Sequence, residues 1–391
     1  MIDANTRALF PLKKNLVYLD HGSFGVTPRK VMQAREKLLR RIEKAPRAFL
    51  TYEYKPAWQA IRAQVAQRFS VGKGNLALIE NATEGINAIL RSFPFRSGDE
   101  ILTTTLTYGA IQNAVAYIAS MHGVKVVQAN LRFPDASPEQ CLEAVRKAIT
   151  GRTKMAILDH ITSSTGMVLP IIEMTKICRE RDVAVLVDAA HAPGQVAVDI
   201  NAIHADWYVA NLHKWYFVPR GCGFIWAVQE RQDDLMPAVL SWDIGEKFPD
   251  RFGWTGTRDP TSWLSIPAAF AFMDQFGEAK VRAHNHRLVL EGAALLSRDW
   301  DTKITTPKSM IGSMVLVPLP EDLPYSLTEQ ERLRLQEDLA KKFNIIACVP
   351  YTSQSRHYLR ISASIYNELS DYKKLAIAIN SLRRDGSGAV R

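Results

Sequence analysis

Short apolar runs separated by helical patterns recur through the first part of the chain. Leu76 to Ile79, Glu100 to Thr103, Met155 to Leu158, Val183 to Val187, Trp207 to Ala210 and Gly223 to Val228 have the length and character of buried strands. Between such runs apolar residues return at helical spacing, as at Ile86, Ile89, Leu90 and Phe93 before the second run, or at Val31, Ala34, Leu38 and Ile42 near the start. Strands apolar on both faces, alternating with helices, predict an α/β fold with a mostly parallel central sheet flanked by helices. From Trp263 to about Leu296 the pattern is helical. Met314 to Pro318 predicts a strand, Thr328 to Phe343 an amphipathic helix, and Ile345 to Val349 a strand that carries Cys348. His357 to Asn367 alternates in part and places Arg360 inside a strand. The pattern divides the chain into a large domain over 16–262 and a smaller α+β domain over 263–391, joined by 1–15. Arg383 to Arg391 reads as a loose tail.

The polar residues that close these runs matter more than the runs. Asp188 ends the apolar run from Val183, and ligands of open parallel sheets sit at the carboxyl ends of strands. The run Trp207 to Ala210 leads into Asn211, His213 and Lys214, and the turn Pro219-Arg220-Gly221 starts the next one. A carboxylate and an amine therefore stand at the ends of adjacent strands, facing one cleft. Alone, each is commonplace, a strand-end Asp or an exposed Lys. Together, with His191 just after Asp188 and His213 before Lys214, they are what pyridoxal phosphate chemistry requires. The lysine binds the cofactor's aldehyde covalently, and the aspartate keeps the pyridine nitrogen protonated so that the ring draws electrons from a substrate's α-carbon.

The stretch VLVDAAHAPGQVAVDINAIHADWYVANLHKWYFVPRGCGFIWA, Val185 to Ala227, resembles the class V aminotransferase family of fold-type I pyridoxal phosphate enzymes. It is most similar to the branch that holds isopenicillin N epimerase and the ergothioneine-pathway C–S lyases, and the likeness runs from about Val17 to Asn367. The resemblance implies roles. Lys214, Asp188 and His191 are catalytic, with His191 against the ring. Ala82, Thr83, Asn211 and His213 hold the cofactor phosphate, and Tyr108 stacks on the pyridine. Ser163 stands where many members carry Asn; it keeps a hydroxyl but has no amide to donate. Thr257, in the loop Phe252 to Pro260, reaches the partner's phosphate, which implies a homodimer with a composite site. His21 and Gly22 line the substrate pocket, Arg47 meets a distal carboxylate, and Arg360 grips the α-carboxylate.

From the residues alone, other readings stay open. Thr83 serves equally as a helix N-cap, Tyr108 as a core or rim residue, Thr257 as part of a surface loop, and Arg360 as half of an internal salt bridge. Cys348, in an apolar strand with no nearby charge, reads as a buried structural thiol.

Composition adds exclusions. At 391 residues, 47% hydrophobic and 23% charged, the chain has ample core for a globular protein. The opening MIDANTRALFPLKKN has no apolar run of signal-peptide length, and no stretch reaches the roughly 18 apolar residues of a membrane span. Four scattered cysteines with no CxxC spacing argue against a disulfide framework or a zinc site and for a reducing, cytoplasmic setting. His284 and His286, two apart, fall on different helix faces, so no metal is expected. The net charge of +9 raises nucleic acid as a partner, but the basic run Arg29 to Arg47 is the wet face of a helix or a steering field for an anionic substrate. The expected partner is a small amino-acid substrate, with no nucleic acid and no membrane. The expected reaction is C–S β-lysis of a cysteine conjugate or cysteine sulfoxide. Epimerisation, with Tyr108 or His21 as second acid, is the alternative; desulfuration, transamination and cofactor binding without turnover follow behind.

Overall fold

The computed structural model describes residues 2–351 and 356–387. Its centre is a seven-stranded sheet in the order Leu76–Ile79, Gly223–Ala227, Trp207–Asn211, Ala184–Ala189, Thr153–Asp159, Glu100–Thr104, Lys125–Ala129. Neighbours run parallel except Gly223–Ala227, which is antiparallel to the strands on both sides. The mostly parallel, helix-flanked sheet expected from the alternating pattern is thus the architecture observed. One strand escapes that pattern. Lys125–Ala129 lies at the sheet edge with Lys125, Val126 and Gln128 exposed, so it lacks the doubly apolar signature. The interior strand Ala184–Ala189 is buried at every position.

Parallel pairing sets Asp159 beside Asp188. The next strand, Trp207–Asn211, ends on the same edge, and Lys214 follows three residues later. Helix Ala82–Ser92 is held tightly against the sheet: a side chain at Gly85 would come within 2.6 Å of Ile79 and 2.7 Å of Val209. That close approach brings the helix's first turn up to the same strand ends.

A second hydrophobic cluster gathers Leu288, Leu296 and Trp300 with Val315, Leu339, Leu359 and Tyr372, and it includes Val17 and Leu19 from the opposite end of the chain. Helix Ile266–Phe276 packs in the first cluster, and the change-over falls within Glu278–Asp299, where Val281 belongs to the first and Leu288 to the second. Met314–Pro318 pairs antiparallel with Tyr358–Ser362, and Val17–Tyr18 pairs parallel with Ile345–Ile346. This last strand is shorter than the expected Ile345 to Val349. Beyond it Cys348 makes only an isolated bridge to Arg360, and Pro350 has no amide to extend a ladder. The chain end is also corrected. Helix Leu369–Ser387 continues through most of the expected tail because Leu382 is buried and Arg383 makes a two-pronged pair with Asp322 at 2.7 and 2.8 Å; residues 388–391 lie outside the described ones. Among the described residues no helix is long and apolar enough to cross a membrane, and no group of His, Cys, Asp or Glu could hold a metal ion.

Candidate active site

A cleft of about 690 Å³ opens at the carboxyl ends of the central strands. Asp188, His191, Asn211, His213 and Lys214 line it together, although they come from two strands and their following turns. Ala82, Thr83, Tyr108, Ser163 and Arg360 line it from other elements. His21, Gly22, Arg47 and Thr257 are not on its wall in the single chain.

Lys214 sits at the centre. Its Nζ lies 2.9 Å from His191 Nε2, and the same nitrogen of His191 is 3.3 Å from Ser163 Oγ. Burial pushes the Lys214 amine down to about 7, helped by the positive charge of Arg360 and opposed by Asp188 and Asp20. Burial, with the charge of Lys214 next, holds His191 well below the ordinary imidazole range, so it is neutral. A neutral imidazole nitrogen 2.9 Å from the amine can accept a hydrogen bond from it and so hold its direction.

Asp188 and Asp159 form a buried carboxylate pair on the cleft wall. Asp188 Oδ1 accepts the Ala190 amide at 3.0 Å, while Asp159 Oδ2 is buried without a hydrogen-bond partner. Burial raises Asp188, and burial followed by the charge of Asp188 raises Asp159. Two carboxyls crowded together with an unpartnered oxygen call for a cationic N–H donor from the cleft.

An anion is called for on the other side. The N-cap of helix Ala82–Ser92 is Asn81, whose side chain accepts the Glu84 amide at 3.0 Å, so Thr83 is not the cap. The Ala82 amide goes to Asn211 Oδ1 at 2.9 Å and the Gly85 amide to the Asn81 carbonyl. The Thr83 amide and hydroxyl, on the cleft wall, are left as free donors at the positive end of the helix. His213 donates Nδ1–H to the Cys222 carbonyl at 2.9 Å, which fixes its ring and leaves Nε2 outside that bond. Burial lowers His213 to about 4.

The turn at residues 20–25 supports the lysine from behind. His21 is fully buried. A carbonyl only accepts, so His21 Nε2 carries the hydrogen given to the Lys214 carbonyl at 2.9 Å, and Nδ1 accepts the Tyr366 hydroxyl at 2.8 Å. Burial, opposed by the bond to Lys214, lowers His21 to about 4, which agrees with a neutral ring. Gly25 has φ +67°, and a Cβ there would stand 2.1 Å from the His213 carbonyl. Gly25→Ala therefore has to displace the peptide that carries Lys214. We expect a loss of about 2–3 kcal/mol in stability, read by denaturant unfolding, and activity reduced out of proportion to that loss.

Arg360, on strand Tyr358–Ser362, is buried and lines the cleft. Its Nη2 meets Asp20 Oδ1 at 2.8 Å and Ser23 Oγ at 2.6 Å, and Nη1 donates to the Ser163 carbonyl. Cys348 also lines the cleft and bridges Arg360. The reading of it as a thiol hidden in a strand with no charge nearby is corrected: the strand stops short of it. Burial still raises its pKa, although Arg360 opposes that, so the thiol stays protonated.

Asp159, Asp20 and Tyr366 are functional candidates that the sequence pattern does not single out. Asp159 closes an apolar run just as Asp188 does, a signal that could have found it.

The profile of the family described as Aminotransferase class-V matches residues 17–324. An L-cysteine desulfhydrase of Arabidopsis thaliana is 29% identical, over 94% of this chain and 88% of its own length. An isopenicillin N epimerase of Streptomyces clavuligerus is 30% identical, over 95% of this chain and 96% of its own. Among solved structures, the cystine C–S lyase C-DES in complex with its reaction product cysteine persulfide superposes with a TM-score of 0.80 at 20% identity, covering 95% of this chain and 98% of that one.

Proposed function

Since this chain belongs to the class V aminotransferase family, we propose that it is a pyridoxal 5'-phosphate enzyme acting at the α-carbon of an amino acid, as a C–S β-lyase of S-substituted cysteines. The observation that carries the reading is a buried amine, Lys214, brought down to about 7 and sharing one cleft with a buried carboxylate pair, one oxygen of which, Asp159 Oδ2, has no hydrogen-bond partner.

The residues present fit the cofactor. Lys214 Nζ would attach its aldehyde, Asp188 with Asp159 would receive the ring N–H, and the Thr83 amide and hydroxyl with Asn211 and His213 would hold the phosphate. Tyr108, half exposed on the wall, has a face to offer the ring. When bound, pyridoxal phosphate supplies the electron sink that lets an α-proton leave. The chain does the rest. Arg360 takes the substrate's α-carboxylate and so fixes which bond at the α-carbon faces Lys214. Lys214 Nζ, free and neutral, receives the α-proton, and His191 Nε2 at 2.9 Å accepts a hydrogen from it and keeps it aimed. Protonation of the departing sulfur yields a thiol, and the three-carbon remainder hydrolyses to pyruvate and ammonia.

Elimination is favoured over epimerisation by one observation. Inversion needs a second acid on the opposite face; His21 is fully buried with both ring nitrogens engaged, which leaves Tyr108 alone, and Tyr108 is already assigned to the face of the ring. Relatives of both kinds exist, the desulfhydrase at 29% identity and the epimerase at 30%, so the choice rests on the site. The test is incubation of the holoenzyme with S-alkyl cysteines. Pyruvate and free thiol in equal amounts support the lyase; exchange of the α-hydrogen with inversion and no pyruvate overturns it.

A homodimer in which Thr257 of the partner subunit completes the phosphate site is part of the proposal, as is a reducing cytoplasmic setting, with which the four free cysteines are consistent.

The lysine also predicts a pH dependence. Its amine attacks only when neutral, so cofactor uptake by the stripped protein should speed up as pH rises through about 7 and level off above it, followed by the absorbance of the bound cofactor. A profile still climbing toward the ordinary lysine pKa would contradict the buried, charge-repelled environment.

A further inference from the structure

If Arg360 receives the α-carboxylate of the substrate, as in the function proposed above, a rival carboxylate already holds it from behind the cleft wall. Asp20 Oδ1 lies 2.8 Å from Arg360 Nη2, and Ser23 Oγ is 2.6 Å from the same nitrogen. A guanidinium offers a carboxylate two faces for a two-point grip, Nε with Nη2 or Nη1 with Nη2. Nη2 is the corner common to both. The nitrogen any forked substrate contact must use is therefore the one facing Asp20, while Nε is buried with no partner.

Both side chains of the pair are nearly closed to solvent, at 5% for Arg360 and 12% for Asp20. An unpaired guanidinium so deeply placed is strongly unfavourable, so the empty cleft needs an internal anion. A second carboxylate arriving at the same corner would stand beside the first, an arrangement in which two like charges cannot both keep the contact. Ser23 provides for the exchange: its hydroxyl donates to Asp20 Oδ1 at 2.8 Å, so Asp20 retains a donor when it releases the arginine. Ser23 also lines the cleft.

We propose that Asp20 stands in for the substrate's α-carboxylate, keeping Arg360 oriented in the empty cleft and surrendering Nη2 when an amino acid docks. Affinity for amino acids is accordingly set below what Arg360 alone would give, and product can leave because Asp20 returns.

The experiment uses holoenzyme and two small probes, glycine and ethylamine, with binding read from the change in cofactor absorbance. Asp20→Asn removes the competing charge and keeps the shape. It should tighten glycine binding about tenfold relative to ethylamine, which shares any effect of the lost charge on Lys214 but has no carboxylate to contest; tenfold is the scale of one charge-assisted hydrogen bond. Ser23→Ala, a milder change that loosens the same pair, should move glycine in the same direction by less. Glycine bound equally or more weakly by both variants overturns the exchange. Arg360→Leu separates the two levels of the argument. If it loses glycine affinity while the Asp20 variant gains none, only the exchange fails; if it binds glycine as the unaltered enzyme does, the carboxylate role of Arg360 fails and the exchange with it.

Discussion

Lys214→Ala should lower turnover by about 10⁴-fold or more, because it removes at once the covalent anchor and the base that receives the α-proton. The same substitution should stabilise the cofactor-free protein. Lys214 is buried with its pKa brought from 10.5 to about 7, so the unfolded chain binds its proton more tightly than the folded one does. The folded state therefore carries the full cost of the buried charge below about 7, and the cost fades as pH rises from there toward 10.5. Alanine removes it outright. Against the lost packing of the lysine stem, the net gain at neutral pH should be on the order of 1 kcal/mol, read as a higher unfolding midpoint of the stripped protein. Activity within tenfold of the unaltered enzyme would show that the amine is not the base, and a lower midpoint at pH 6 that it is not a costly buried charge.

Asp188→Asn comes second in size. The pair Asp159–Asp188 is buried and has room for one more donor. A carboxylate at Asp188 keeps a protonated ring nitrogen cationic, whereas a neutral amide cannot. Turnover should drop about 10²–10³-fold, the usual scale for losing one preorganised charge interaction, while the cofactor stays bound through its phosphate and Lys214. Asp159→Asn should cost much less, because Asp188 remains and it is Asp159, not Asp188, that the neighbouring charge pushes up toward the neutral form. Steady-state kinetics on the two variants, each with its cofactor content measured, decides this. Equal losses would mean the ring nitrogen is shared by both carboxylates.

Much of the fold was legible because its strands are apolar on both faces and end abruptly in polar residues. Asp188 and Lys214 stood out for that reason, and the parallel sheet places them in one cleft. What the pattern could not carry were contacts set by register or by distance along the chain. Asp159 gains its meaning only from lying opposite Asp188. Asp20 finds Arg360 across 340 positions, and His21 finds Tyr366 across 345, with no local trace of either partner. The resemblance put His21 and Gly22 on a pocket wall; what this turn's backbone approaches is the lysine's own peptide. Cys348 was misread for a related reason, since an apolar run does not reveal where a ladder runs out of amides to pair.

That N-terminal turn has one shoulder on each packing unit. Through Asp20 and Ser23 it holds the arginine of the smaller sheet, and through His21 and Gly25 it abuts the peptide of the catalytic amine. Six residues thus act as a strut between the buried arginine and the peptide of the buried lysine. Any drift between the two cores would be felt at both ends of a bound amino acid together, which makes the strut the natural place to tune substrate alignment without touching a reacting atom.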